Sequence, residues 1–123
     1  MNIFKKNRLG IKNPLKKLFV SIDNGDLSKI LALIVWDNSL LFQTNEKGLT
    51  PLMDATIGKK YDVMRLLLLH GANTNQTDSD GWTAKSWAVF IQDKEALKIL
   101  SRASVLSNTD DVSGALLGSM VFS

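Results

Sequence analysis

Gly48-Leu49-Thr50-Pro51-Leu52-Met53-Asp54-Ala55 decides the fold, because its opening returns 33 residues later as Gly81-Trp82-Thr83-Ala84. The correspondence stays in register through Ala55 and Ala88, Asp62 and Glu95, Val63 and Ala96, Met64 and Leu97, Arg65 and Lys98, Leu66 and Ile99, and Leu67 and Leu100. A fixed period of this length marks a repeat architecture, in which each unit buries its apolar side by stacking on a neighbour.

Each unit opens with a turn, Asn45-Glu46-Lys47-Gly48 or Asp78-Ser79-Asp80-Gly81. Short polar side chains there bond their own backbone, and glycine tolerates positive φ. Thr50 and Thr83 are placed as N-caps, and Pro51 stands at the first helical position, where its missing N–H costs nothing. A second helix follows in each unit. In the middle one Val63-Met64-Arg65-Leu66-Leu67-Leu68-Leu69 is apolar on nearly every face, which predicts a helix sandwiched between neighbours. Gly71 supplies its stop.

These two stretches, the second continuing as Leu66-Leu67-Leu68-Leu69-His70-Gly71-Ala72-Asn73-Thr74-Asn75, resemble the ankyrin repeat, whose pattern runs roughly G-x-T-P-L-H-x-A-A and then V-V-x-L-L-L-x-x-G-A-x-x-N. A degraded N-terminal unit, Leu18 to Ile34, is similar to the family's first helix pair, with Asn24-Gly25-Asp26-Leu27 as its hinge. Asn13-Pro14 is placed to cap it, and Leu15, Leu18, Phe19 and Ile22 give an i, i+3, i+4, i+7 apolar face. The resemblance implies an all-α solenoid of about three stacked helix-turn-helix units joined by hairpin-like loops. The expected units are residues 13–44, 45–77 and 78–102, between a basic N-terminal arm at 1–12 and a C-terminal capping segment or tail at 103–123.

The chain departs from that pattern at several positions. Met53 and Ser86 replace the usual His, which removes the Thr-to-His hydrogen bond of the family. Lys59 and Gln92 replace the interhelical Gly, leaving the hinge geometry open, and Lys85 stands where a core Leu is expected. A terminal repeat has no neighbour on its outer side, so a lysine there is consistent with the end of the stack. Trp36 to Phe42 replaces the first G-A-x-x-N loop and carries one extra residue.

Composition narrows the chemistry. The chain has 123 residues, 45% of them apolar, with no Cys and a single His. Disulfides, thiolate chemistry and a histidine metal cluster are thereby excluded, and neither G-x-S-x-G nor a phosphate-cradling glycine loop occurs. No enzyme, cofactor or metal is expected. The acidic positions Asp78, Asp80, Asp110 and Asp111 are read as turn and cap residues rather than a cation site, and His70 as structural. No segment approaches the roughly 18 apolar residues that span a membrane. The N-terminal stretch lacks the apolar core of a secretory signal, which makes cytoplasmic the expected address.

Charge is unevenly spread. Lys5, Lys6, Arg8, Lys12, Lys16 and Lys17 stand in the first 17 residues with no acid among them, while the remainder carries nine basic and twelve acidic residues, a net of −3. The arm is read as a solvated extension, with contact to an anionic partner as the alternative. Only Phe4 interleaves it, so neither nucleic acid nor membrane is the expected partner. At the other end, Thr109-Asp110-Asp111 can cap a last helix bearing Val112, Leu116 and Met120, weakened by Gly114 and Gly118. That segment either covers the flank of the last repeat or docks on a partner.

The resemblance implies a non-catalytic module that binds one protein partner on its concave face and is monomeric when free. Carried over residue by residue, that face comprises Glu46, Lys47, Leu49, Asp54 and Ile57 in the middle unit and Ser79, Asp80, Trp82, Trp87 and Phe90 in the last. Large aromatics at such positions expose apolar area without gaining packing, and Trp82, directly after the turn, is expected to be the most exposed. Small stand-alone members of the family resemble immunity proteins that neutralise a toxin, which makes an inhibitor of a toxin or enzyme the most concrete expectation. The dense Lys and Asn usage suggests a bacterial or phage source. The alternative is an adaptor or host-directed effector whose basic arm contacts membrane or nucleic acid.

Overall fold

The computed structural model describes residues 11–108, with side chains through residue 103. The helices in chain order are α1 (Pro14–Asn24), α2 (Leu27–Trp36), α3 (Pro51–Ile57), α4 (Tyr61–Leu69), α5 (Ala84–Phe90) and α6 (Lys94–Asn108). Among the described residues there is no strand. Each pair is antiparallel across a tight hinge, and the pairs stack so that α1, α3 and α5 form one layer and α2, α4 and α6 the other. The fold is an all-α solenoid of three repeats.

Local chemistry places each helix start. Thr50 Oγ1 accepts from Met53 N at 3.2 Å with Pro51 at the first helical position. Thr83 does the same for Ser86 N at 3.2 Å, and Ser86 Oγ accepts in return from Thr83 N at 3.2 Å. The residue that replaces the family's His thus closes a reciprocal capping box of its own. Asn13 behaves otherwise than expected. Pro14 begins α1, but Asn13 lies in the left-handed region (φ 49°, ψ 57°) and makes no side-chain capping bond.

The hinges are alike despite their different residues. Gly25, Lys59 and Gln92 adopt φ of 68°, 57° and 58°, and the next backbone N–H closes each turn onto a carbonyl five residues back, Asp26 to Ser21, Lys60 to Ala55 and Asp93 to Ala88. Replacing glycine therefore leaves the hinge shape intact, at a steric cost of about 1 kcal/mol for each side chain held in the left-handed region.

The core runs along the stack between the two layers. Leu18, Ile22, Ile30, Leu52, Met53, Met64, Leu67 and Leu100 are among its largest buried members. The expected face of α1 is buried at Leu18, Phe19 and Ile22 and half-buried at Leu15. In α4 only Val63, Met64 and Leu67 are fully enclosed, whereas Leu69 is 79% exposed, so that helix has a free outer side. Gly71, at φ 104°, ends it. The extra residue after α2 is absorbed by a short 3-10 turn, Asn38–Phe42, which buries Leu40 and Leu41. Lys85 is exposed on the outer flank of the last repeat.

Polar contacts lock neighbouring repeats. Tyr61 Oη donates to Asp93 Oδ2 at 2.8 Å, and Asp93 Oδ1 caps α6 by accepting from Glu95 N and Ala96 N. Asn38 Nδ2 donates to His70 O, and Gln76 Nε2 to Phe42 O at 2.8 Å. The last helix continues to Asn108, past residue 102. The arm up to residue 10 and the segment from Thr109 onward, including the helix expected after Thr109, lie outside the described residues.

Candidate functional site

The two hairpins are built on one plan. Asn45 Oδ1 accepts from Lys47 N and Leu49 N, while Asn45 N donates to Leu49 O. In the same way Asp78 Oδ1 accepts from Asp80 N and Trp82 N, and Asp78 N donates to Trp82 O. Gly48 and Gly81 close the turns at φ 80° and 82°. A Cβ on Gly48 would lie 3.1 Å from Ser79 Oγ, so the tips of the two hairpins are stacked against each other. These tips present Glu46, Lys47, Ser79 and Asp80, all exposed.

Beyond the tips the two repeats diverge. Asp78 has a second oxygen free of the turn, and Oδ2 accepts from Trp87 Nε1 at 2.9 Å. The backbone N–H of Trp82 holds this carboxyl below the usual carboxylate range against the opposing effect of burial, and the Trp87 indole and the Asp80 N–H add to it. Trp87 is thereby pinned to the turn. Trp82 tilts onto it with ring centroids 4.8 Å apart, and Phe90 meets Trp82 edge-on at 5.3 Å and Trp87 at 6.1 Å. This three-ring cluster is a pre-assembled apolar platform with geometry favoured by aromatic quadrupoles.

Exposure within the cluster differs from expectation. Phe90 is the open member at 65%, whereas Trp82 and Trp87 are each half-buried against the other rings. Leu49, the counterpart of Trp82, is corrected more sharply. It is buried at 8% exposure within the core cluster. It presents little surface to a partner. Ile57, the counterpart of Phe90, is half-buried against the core.

Asp54, the counterpart of Trp87, has an unusual setting. Its Oδ2 is enclosed, and the carboxyl of Asp23 in α1 is its polar neighbour. Burial is the main cause that pushes its pKa up to about 7; a hydrogen bond to Asp23 of α1 and the charge of Asp23 raise it further, and Lys47 pulls it down. Two carboxylates cannot bond each other, so that bond exists only when a proton sits between them. Asp23 was invisible as a site residue from the repeat pattern, where it stands 34 residues before Ile57.

Two clefts lie away from this face. One, about 570 Å³, is lined by Arg65, Leu69, Glu95, Lys98 and Arg102 between α4 and α6, and another, about 620 Å³, by Lys12, Lys16, Lys17, Val20 and Lys29 on the first repeat. Ser21, which also lines the second, donates its hydroxyl to Lys17 O at 2.8 Å. Among the described residues no group of three or more His, Asp or Glu is placed to hold a metal ion, and no helix is long and apolar enough to cross a membrane.

Comparison with known proteins agrees with this architecture. A family model described as ankyrin repeats (3 copies) matches residues 18–110. The chain is 34% identical over 89 residues to the mouse RelA-associated inhibitor, covering 72% of this chain and 11% of that protein. It is 36% identical over 64 residues to an ankyrin repeat protein of fowlpox virus, covering 52% of this chain and 16% of that protein. The chain thus spans only a small part of either relative. Ankyrin repeats mediate protein–protein interaction and are a non-catalytic module. With three matched repeats and three observed helix pairs, the chain belongs to the ankyrin-repeat family.

Proposed function

We propose that the chain is a non-catalytic binding module that holds one protein partner on the concave face formed by the hairpin tips and by α3 and α5. The observation that carries this reading is the Trp82–Trp87–Phe90 platform. Its rings are fixed before any partner arrives, so docking on them costs little conformational entropy, and such aromatics dominate interface energetics. Glu46, Lys47, Asp54, Ser79 and Asp80 complete the face with polar contacts.

Occupying a partner's functional surface is the simplest way for so small a module to act, and we infer inhibition by blocking. The name of the mouse relative, an inhibitor, supports that reading, although the match covers 11% of it. Neutralisation of a toxin is one form such inhibition takes, and the cytoplasm is the compartment where it would operate. An adaptor role, with the basic arm on an anionic surface, is the second reading, favoured by the six basic residues in the first 17. Titration with the purified partner separates them. Trp82→Ala is expected to weaken the complex by about 2 kcal/mol or more with the fold intact. Undiminished affinity, together with a steep loss of binding at high salt, would favour the arm.

A further inference from the structure

The aromatic platform has a charged border. Glu46, Lys47 and Asp80 are exposed at the hairpin tips, Asp23 and Lys47 act on Asp54, and Asp78 holds the Trp87 indole. Asp54 and Trp87 occupy equivalent positions on α3 and α5, which pack side by side with axes about 8–10 Å apart. A group lodged between them meets a carboxyl on one side and an indole on the other. Apolar ligands gain nothing from the first, and anionic ligands are repelled by it. A cation gains from both, since it pairs with carboxylate and is attracted to the negative face of an aromatic ring.

We propose that the partner presents a basic segment to this face, seating an arginine or lysine side chain between the Asp23–Asp54 carboxyl pair and the Trp82–Trp87–Phe90 rings. The inference rests on the concave-face reading above and specifies its chemistry. The half-buried Asp54 carboxyl lies beside that of Asp23, with which it shares a proton when neutral, and an incoming cation takes over the charge compensation that this proton provides. The charged groups acting on Asp54 from the elements around it are Asp23 of α1, which favours its neutral form, and Lys47 of the preceding hairpin, which favours the anion. A bound guanidinium shifts that balance toward the anion, so binding expels a proton at neutral pH. The face is consequently pH-sensitive, holding a basic segment better above neutrality than below it.

The full chain is titrated with fluorescein-labelled Arg-Gly-Arg-Gly-Arg-Gly and, separately, Glu-Gly-Glu-Gly-Glu-Gly, at low salt. The arginine peptide is expected to bind about tenfold tighter than the glutamate peptide, and about three- to tenfold tighter near pH 8 than near pH 5.5. Asp54→Asn should remove most of that pH dependence, and Trp87→Leu should weaken binding at both pH values. Trp87→Phe, which keeps a ring, should restore part of it. Equal binding of the two peptides, or an unchanged pH profile in Asp54→Asn, overturns the proposal. Tighter peptide binding after deletion of residues 1–12 would make the chain's own basic arm the occupant and overturns it likewise. If Trp82→Ala weakens the natural complex while pH and Asp54→Asn leave it unaltered, this inference fails and the concave-face reading survives.

Discussion

The middle and last repeats share a backbone plan and differ in what they show to solvent. Asn45 and Asp78 organise the hairpins through the same three backbone bonds, and Thr50 and Thr83 cap the following helices at the same distance. At three equivalent positions on this frame, the middle repeat has Leu49, Asp54 and Ile57, and the last has Trp82, Trp87 and Phe90. The first set sinks toward the core, with the Asp54 carboxyl half-buried; the second packs on itself and leaves Phe90 exposed. Shared positions hold the stack together, and the divergent ones give each repeat its own contact chemistry.

The largest test of that division concerns a shared position. Leu67 is fully enclosed between the layers at the centre of the stack. Leu67→Ala should cost about 2–5 kcal/mol and, in so short a solenoid, unfold most of it cooperatively in a thermal melt. Leu100 is its counterpart in the last repeat, which lacks a neighbour beyond α6 among the described residues. Leu100→Ala should cost less, and an equal or larger loss would show that the two repeats are equally embedded.

The hairpins give a finer comparison. Asn45→Ala removes two accepted backbone bonds, whereas Asp78→Ala removes two backbone bonds and the anchor of the Trp87 indole. The second variant should lose about 1 kcal/mol more than the first, with altered tryptophan fluorescence. Equal losses would mean that the indole bond adds nothing to the platform.

Asp54 sets a pH dependence that the last repeat lacks at the equivalent Trp87. Its folded pKa of about 7 lies above the ordinary 3.8, so the folded chain holds this proton better than the unfolded chain. Stability from this group is complete below about pH 4 and is lost as pH rises through 7. Asp54→Asn should therefore be more stable than the parent near pH 8, by about 1 kcal/mol after discounting for the solvent that reaches the group, and indistinguishable near pH 4. A denaturant series across that range measures it.

The smallest expected effects are at the hinges. Lys59→Gly and Gln92→Gly relieve a left-handed side chain but loosen the unfolded state, and each should raise stability by less than about 1 kcal/mol. Gly25→Ala, at the hinge that already has glycine, should lower it. Loss of stability in both glycine variants would mean that the side chains, rather than the backbone, matter there.

How much of this was legible follows from range. The period is visible by matching the sequence to itself, and the caps at Thr50 and Thr83 and the turns at Gly48 and Gly81 depend on residues within four positions of one another, so sequence alone places them correctly. Asn13 departs from the expected capping bond because asparagine suits both caps and left-handed turns, and its backbone here takes the second. Burial of Leu49 and pairing of Asp23 with Asp54 depend on the lateral fit between stacked repeats, which no local pattern encodes. The hydrogen bond from Trp87 to Asp78 lies between these cases. It spans nine residues, but it needs the second oxygen of an aspartate that the turn alone already explained.

The central claim is that the last repeat's aromatic face, rather than the first repeat or the outer surface, carries the contact. The chain has three tryptophans, and they divide cleanly: Trp82 and Trp87 on that face, Trp36 half-buried at the end of α2. Indole N–H resonances of the full chain, recorded while purified partner is added, test the claim directly. The account predicts that the Trp82 and Trp87 signals shift or broaden at the first additions while Trp36 stays in place. Movement of Trp36 alone, or no change in Trp82 and Trp87 at saturation, would contradict it.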